Sequence, residues 1–252
     1  MWFFKRKKKV GLVLGSGGAR GMAHIGVIKA LLKNKVPIDL VVGSSVGALI
    51  GGLFSAAGRV DELEKIVGEV TYKDLAKVFV DPIWSGGLIG GKKTLEFLRK
   101  LFSDGKIEDL KIPFSAVATD INTAEPVVFG KGSVAEAVRA SISVPLIYAP
   151  FLHEGYLLVD GGISCPVPVE VAKEMGAEMV IAVNLDGVYF SEGNYKRGLS
   201  SSAVDVLKDS YFALRYNLAK KEVAGADIVI EPVMKYIKDF DFVGGVDTVA
   251  AG

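Results

Sequence analysis

The stretch DLVVGSSVGALIGGLFSAAG, residues 39–58, places a glycine-flanked serine between a short apolar run and a segment of small residues. The apolar run is typical of a buried parallel strand, and residues 46–57 are predicted to form a helix that packs closely on the sheet and ends at Gly58. Between them lies GSSVG, the one Gly-x-Ser-x-Gly pattern of the sequence, with Ser45 at its centre and Gly43 and Gly47 at its ends. A serine on such a sharp strand-to-helix turn exposes its hydroxyl, so Ser45 is a candidate nucleophile.

A second glycine-rich loop, LGSGGARGMAHIG, spans residues 14–26 and follows an apolar run that begins at Val10. Bare backbone N–H groups in such a loop bind negative charge. The dinucleotide-binding fingerprint is incomplete here, since its two frames place Ser16 or Arg20 where glycine is required. The nearest phosphate-binding P-loop, GGLIGGKK at residues 86–93, ends in lysine where Ser or Thr is needed. The remaining interpretation is an oxyanion site that serves Ser45.

A nucleophilic serine needs a base, and the best candidate is Asp160 in LLVDGG. The motif places a carboxylate at the end of an apolar strand, where sheets of this type hold their chemistry. Asp-Gly is also a common turn former. The two histidines are His24, inside a predicted helix, and His153, in the turn LHEG, and no histidine follows Asp160 to complete a Ser–acid–His order. A Ser45–Asp160 dyad is therefore favoured, with His153 as the alternative base.

The rest of the chain alternates strands with helices, which favours an α/β sandwich around a mainly parallel sheet. Strands are predicted in PFSAVATDI, PVVFG, GYLLVDGG, EMVIAVNLD and DIVIEP, and helices at residues 61–70, 93–102, 134–141, 167–175 and 201–223. We expect one domain over residues 10–252, preceded by a basic, aromatic N-terminal tail at residues 1–9.

Composition excludes several classes of protein. The formal net charge is +1 and no basic stripe with interleaved aromatics occurs, so nucleic-acid binding is not expected. One cysteine, Cys165, and two histidines rule out an intramolecular disulfide and a Cys- or His-rich metal site. This cysteine usage fits a reducing compartment, and a cytoplasmic location is expected. No apolar stretch reaches the roughly 18 to 20 residues that span a bilayer.

Three motifs in order, GSGGARGMAHIG, GSSVG and VDGG, closely resemble those of the patatin-like phospholipases, serine acyl hydrolases with a Ser–Asp dyad. The resemblance runs from about Val10 to about Pro232 and includes RASISVP before the aspartate strand and SCPVPVEVA after it. The pattern looks most like the short bacterial members and the catalytic domain of neuropathy target esterase. The resemblance implies a three-layer α/β/α sandwich with a mainly parallel central sheet.

The resemblance also implies roles for individual residues. Ser45 would attack an ester carbonyl, Asp160 would take its proton, and the N–H groups of Gly17 and Gly18 would bind the oxyanion. Ser16 replaces the family's first oxyanion glycine, a change that keeps the backbone N–H. Arg20 would hold the loop or an anionic headgroup. Further glycines support the motifs, namely Gly21, Gly43, Gly47, Gly161 and Gly162. No metal or cofactor is expected.

The expected activity is hydrolysis of fatty-acyl esters of phospholipids, lysophospholipids or related lipids. Transfer of the acyl group to an alcohol by the same acyl-enzyme and a non-catalytic lipid-binding module are the alternatives. The segment Trp2–Lys9 is predicted to contact an anionic membrane surface transiently, with a solvated tail as the alternative. The apolar segment Val78–Leu88 is a candidate lid or lipid-entry surface, with ordinary packing as the alternative. The sequence indicates no oligomeric state.

Overall fold

The computed structural model describes residues 7–69, 89–187 and 202–233, which form one sheet with helices on both faces. The strands are β1 (Val10–Leu14), β2 (Leu40–Ser44), β3 (Phe114–Asp120), β4 (Pro126–Phe129), β5 (Phe151–His153), β6 (Tyr156–Asp160), β7 (Met179–Val183) and β8 (Ile228–Ile230). The α-helices are α1 (Ala23–Lys33), α2 (Val46–Ala57), α3 (Val60–Glu69), α4 (Lys92–Leu101), α5 (Val134–Ser141), α6 (Val169–Glu174) and α7 (Ala203–Glu222). Short 3-10 turns lie at Gly18–Met22, Ile107–Asp109, Gly161–Ile163 and Val223–Gly225.

The strand order is β5-β6-β3-β2-β1-β7-β8, with β4 paired to β3. The run from β3 to β8 is parallel throughout, whereas β4, β5 and β6 are antiparallel to their neighbours. The predicted α/β class is confirmed, and the sheet is mixed because one end is built from hairpins. Strand β5 was not predicted: it is three residues long and turns into β6 through Glu154 and Gly155, both with positive φ, as a two-residue hairpin requires.

The two cores lie on opposite faces of the sheet. On one face, α1, α2, α3, α4 and α5 cover the larger apolar cluster, which includes Leu12, Phe54 and Leu158. On the other face, α6 and the end of α7 cover a smaller cluster that includes Val42 and Ala219. Together with the sheet these helix layers give the expected three-layer architecture.

Two strands pair with consecutive stretches of the same edge of β3, and their ends position the candidate site. Val117 pairs with Ser44 of β2 on one edge and with Val128 of β4 on the other. Ala118 pairs with Asp160 of β6 and again with β4. Strands β2 and β6 therefore share one edge of β3 and run towards each other. Their last residues lie side by side, opposite consecutive residues of β3.

Parallel pairing brings a second group of chain ends to the same place. Leu14 at the end of β1 lies opposite Gly43 of β2 and Val183 of β7. The segments that follow these strands consequently emerge at one edge of the sheet. In open α/β sheets this is the edge at which ligands bind.

Two predicted segments fall outside the described residues, namely Trp2–Arg6 of the tail and the candidate lid Val78–Leu88. At the described end of the tail, the Lys9 amide donates to Glu178 Oε2 at 3.0 Å and its ammonium donates to the Met175 carbonyl at 3.2 Å. No helix within the described ranges has the length and apolar character that crossing a membrane requires.

Gly47 is required by the packing of α2 on β1. A Cβ atom added there would overlap the carbonyl oxygen of Leu14 and lie 2.7 Å from that of Gly15. Gly47→Ala should therefore lower the free energy of unfolding by about 1–3 kcal/mol, because backbone atoms cannot rotate away as a side chain can. Denaturant unfolding measures this change.

Gly68→Ala on α3 is the matched control, because its added Cβ would meet no atom of the described residues within 4 Å. Its stability should be unchanged or higher by up to about 1 kcal/mol. Equal effects of the two substitutions would contradict the packing constraint at Gly47.

Candidate active site

Ser45 occupies a strained turn between β2 and α2. Its backbone has φ 56° and ψ −125°, a left-handed conformation that is costly for a residue with a Cβ. The turn is held by a hydrogen bond in which the Ser45 amide donates to Ser141 Oγ at 2.8 Å, while that hydroxyl donates to the Val117 carbonyl at 2.6 Å. The 12-residue helix α2 starts directly after Ser45. Its N-terminal end favours negative charge at the serine.

The Ser45 hydroxyl donates to Asp160 Oδ2 at 2.6 Å. Ser45 is 4% exposed and Asp160 is fully buried. The other carboxylate oxygen, Oδ1, accepts the Gly162 amide at 2.8 Å and the Tyr211 hydroxyl at 3.3 Å. Through its own backbone carbonyl, Asp160 also accepts the Thr119 hydroxyl at 2.9 Å. The carboxylate is thus fixed from both sides, with one oxygen facing the serine.

Burial raises the pKa of Asp160 above the ordinary carboxyl value. The hydrogen bond from Ser45, the charge of Arg215 and the donors Gly162 and Tyr211 each lower this pKa in part. The site therefore combines removal from water, which makes the carboxylate a stronger base, with donors that favour its ionised form.

The glycine-rich loop is oriented by two side chains from its own second half. His24 Nε2 lies 2.8 Å from the Gly15 carbonyl, and Arg20 donates to the Gly17 carbonyl through both its backbone amide (3.3 Å) and its Nε (3.2 Å). A peptide unit is planar, so fixing the Gly17 carbonyl makes the Gly18 N–H point the opposite way. The amides of Gly17 and Gly18 have no acceptor among the described residues.

Ser16 is engaged elsewhere. Its amide donates to the Pro166 carbonyl at 2.9 Å, and its hydroxyl donates to the same oxygen at 3.2 Å. Of the three residues predicted to bind the oxyanion, Ser16 is therefore excluded, and the amides of Gly17 and Gly18 remain candidates. The Ser16 side chain packs closely against the turn that follows Asp160. A Cβ atom added to Gly162 in that turn would lie only 2.6 Å from the Ser16 hydroxyl oxygen.

The remaining motif glycines allow the loops to approach one another. A Cβ on Gly21 would overlap the side chain of Val46, the residue after Ser45. A Cβ on Gly161 would overlap the Val117 carbonyl oxygen. A Cβ on Gly43 would overlap the backbone of α2. These contacts bring the glycine-rich loop, the serine turn and the aspartate turn into one cluster.

Arg20 is buried and belongs to an ion-pair cluster. Its NH2 donates to Asp186 Oδ1 at 2.9 Å. Arg215, on α7, binds the same carboxylate in a bidentate way, with Nε and NH2 each 2.7 Å from an oxygen. Of the two predicted roles for Arg20, these contacts favour holding the loop.

Neither histidine contacts Ser45 or Asp160. Burial lowers the pKa of His24 to about 4, against the opposing effect of the Gly15 carbonyl, so the ring is neutral. Facing a carbonyl, Nε2 carries the proton. His153 Nδ1 lies 3.6 Å from Glu136, and its ring packs on Phe129 and Phe151.

Sequence reasoning missed four side chains of this site: Ser141, Asp186, Tyr211 and Arg215. Asp186 carried a detectable signal, because it follows the apolar strand VIAVNLD at the functional edge of the sheet. Ser141 lies in RASISVP, a stretch noted above without a role. Tyr211 and Arg215 lie mid-helix, 50 residues or more after the aspartate motif, and only the fold brings them to it.

Comparison with known proteins gives the same family as the motifs. The family model described as "Patatin-like phospholipase" matches residues 12–173. An uncharacterized NTE family protein of Mycobacterium tuberculosis is 41% identical over 179 residues, which are 71% of this chain and 49% of that protein. The human patatin-like phospholipase domain-containing protein 6 is 36% identical over 183 residues, which are 70% of this chain and 13% of that protein.

A solved structure shows the same fold. The VipD protein of Legionella pneumophila matches with a TM-score of 0.55 at 16% identity, over 81% of this chain and 53% of that chain. The chain spans about half the length of the mycobacterial relatives that it matches. On the extent of the family-model match and the identity to these relatives, the chain belongs to the patatin-like phospholipase family.

Proposed function

We propose that the chain is a serine acyl hydrolase that cleaves fatty-acyl esters of phospholipids, lysophospholipids or related lipids. The observation that carries this proposal is the 2.6 Å hydrogen bond from Ser45 Oγ to Asp160 Oδ2 in a buried turn. Family membership supports a lipid ester as the substrate class. The free amides of the adjacent glycine-rich loop, within the described residues, support attack at a carbonyl group.

In the first half-reaction, Ser45 Oγ forms a bond to the ester carbonyl carbon while its proton passes to Asp160 Oδ2. The carbonyl oxygen becomes an oxyanion, which the amides of Gly17 and Gly18 bind. Arg20 keeps the Gly18 amide aimed by holding the Gly17 carbonyl. When the tetrahedral intermediate collapses, the bond to the alcohol oxygen breaks. The alcohol leaves with the proton from Asp160.

In the second half-reaction, water attacks the acyl group on Ser45. Asp160 takes a proton from that water, and the same oxyanion site binds the second tetrahedral intermediate. Collapse breaks the bond to Ser45 Oγ, which regains its proton from Asp160. The fatty acid is released, and the dyad returns to its starting protonation state.

Ser45→Ala should reduce hydrolysis of a short-chain nitrophenyl ester by at least about a thousandfold, because no nucleophile remains. Asp160→Asn should have a similar effect, because the amide cannot accept the serine proton. Steady-state kinetics with both variants measures these losses. Mass spectrometry of wild-type protein treated with a fluorophosphonate shows whether Ser45 is the residue labelled.

His153→Ala is the matched control and should retain activity within about twofold, since His153 packs on Phe129 and Phe151 away from the dyad. A thousandfold loss in His153→Ala would replace the dyad by a histidine mechanism. Lipid retention without labelling of Ser45 would favour a binding module.

The raised pKa of Asp160 makes a further prediction about pH. The folded state holds this proton more tightly than the unfolded state does, so its contribution to stability falls as pH rises from the ordinary carboxyl range through the raised value. At pH 8 the buried carboxylate is destabilising. Asp160→Asn should therefore melt at a higher temperature than wild type at pH 8, and the difference should shrink as pH falls through the raised pKa towards about pH 4.

Asp104→Asn, an exposed turn position with φ 53°, serves as the control, because asparagine suits this backbone conformation equally well. Thermal unfolding across pH should leave its difference from wild type constant. A difference for Asp160→Asn that did not change with pH would contradict the proposed cost of burying the charge.

A further inference from the structure

The carboxylate of Asp160 accepts one hydrogen bond from α7, a helix that lies beyond the residues matched by the family model. Tyr211 lies in the third turn of α7, and its hydroxyl is 3.3 Å from Asp160 Oδ1. This oxygen faces away from the nucleophile, because Ser45 binds Oδ2. An ionised carboxylate only accepts hydrogen bonds, so the phenol must be the donor.

Tyr211 is suited to remain a donor at all working pH values. Burial and then the charge of Asp160 raise the pKa of the phenol above its ordinary value. Among the described residues, the charged or titratable side chains that act on the Asp160 carboxylate are Tyr211 and Arg215, both from α7. The helix therefore supplies a positive charge and a hydroxyl donor that both lower the pKa of Asp160.

The position of Tyr211 is fixed one turn further along the same helix. Arg215 is four residues away, its guanidinium lies 5.4 Å from the centre of the Tyr211 ring, and both of its bonds to Asp186 are 2.7 Å long. Asp186 also accepts Arg20 of the glycine-rich loop. One buried carboxylate thus anchors both α7 and the loop that carries the proposed oxyanion amides.

We propose that Tyr211 is a positioning residue of the dyad, which holds Asp160 Oδ1 so that Oδ2 stays aimed at Ser45. The ion pair of Arg215 with Asp186 keeps Tyr211 in place. The role rests on the proposed function, since it acts through the proton transfer between Ser45 and Asp160. In this role Tyr211 does not take the transferred proton, because it binds Oδ1 while Ser45 binds Oδ2.

Tyr211→Phe tests the role, because it removes only the hydroxyl and keeps the ring on Phe212 and Arg215. We expect kcat for a nitrophenyl ester to fall about threefold to tenfold with little change in KM. The acid limb of the kcat/KM profile should move upward by about half a pH unit to one unit, because a donor to the ionised carboxylate is lost. Tyr156→Phe is the control, since Tyr156 is 47% exposed at the start of β6.

A second variant tests the anchor. Arg215→Lys keeps the positive charge and loses the planar, bidentate geometry, so it should shift the acid limb in the same direction. In the double variant with Tyr211→Phe, the loss of kcat should be smaller than the product of the two single losses. The reason is that Arg215→Lys acts by displacing the Tyr211 hydroxyl, which Tyr211→Phe has already removed. Losses that multiply in the double variant would show that Arg215 acts independently of Tyr211.

A measurement without turnover separates this proposal from the proposed function. In Ser45→Ala protein with 13C-labelled aspartate carboxyls, NMR titration gives the pKa of Asp160, whose signal is assigned by its loss in Ser45→Ala/Asp160→Asn. Adding Tyr211→Phe should raise this pKa by about half a unit to one unit. An unchanged pKa would overturn the role of Tyr211 even in an active enzyme.

Wild-type protein that neither hydrolyses esters nor reacts with a fluorophosphonate would refute the proposed function, while the titration would still decide the Tyr211 contact.

Discussion

The structure depends on one constraint: β2 and β6 share an edge of β3 and end against each other. The first strand delivers Ser45 one residue after Ser44, and the second delivers Asp160 as its last residue. Backbone hydrogen bonds to β3 fix both positions, so the distance between the two side chains is set by strand pairing and not by a loop. A short hydrogen bond between Ser45 and Asp160 follows from this register. Glycines complete the arrangement, because only glycine allows the serine and aspartate turns to approach so closely.

A buried charge cluster surrounds this meeting point. It comprises two carboxylates, Asp160 and Asp186, and two guanidinium groups, Arg20 and Arg215. Because Arg215 forms its short contacts with Asp186, the carboxylate of Asp160 keeps one oxygen for Ser45. Buried ion pairs are a weak source of net stability, but removal of one partner is costly. The cluster is therefore better understood as a device that fixes geometry, joining the glycine-rich loop to α7.

Sequence patterns predicted the parts of the site that local structure determines. Ser45, Asp160 and the glycine-rich loop each follow an apolar strand and contain glycines, so residue type and context together identify them. The structure adds that the Ser16 amide is already bonded to Pro166, which depends on a segment 150 residues away. Tyr211 and Arg215 lie on a helix whose apolar residues, such as Leu207 and Leu214, are partly solvent-exposed, so no periodic pattern indicates which side faces the core. Strand β5 was missed because three residues carry too little pattern to distinguish a strand from a loop.

The proposed role of Asp160 as the base is consistent with the same burial. A carboxylate in water is a weak base for a serine hydroxyl, and complete removal from solvent raises the pKa of Asp160. Burial alone favours the protonated acid, which cannot accept the serine proton. Donors on Oδ1 and the nearby guanidinium group oppose this, because they stabilise the ionised form. A histidine in this position would lose basicity on burial, as the pKa of about 4 at His24 illustrates. A buried site therefore favours an anionic base whose strength increases on desolvation, provided that neighbouring donors keep it charged.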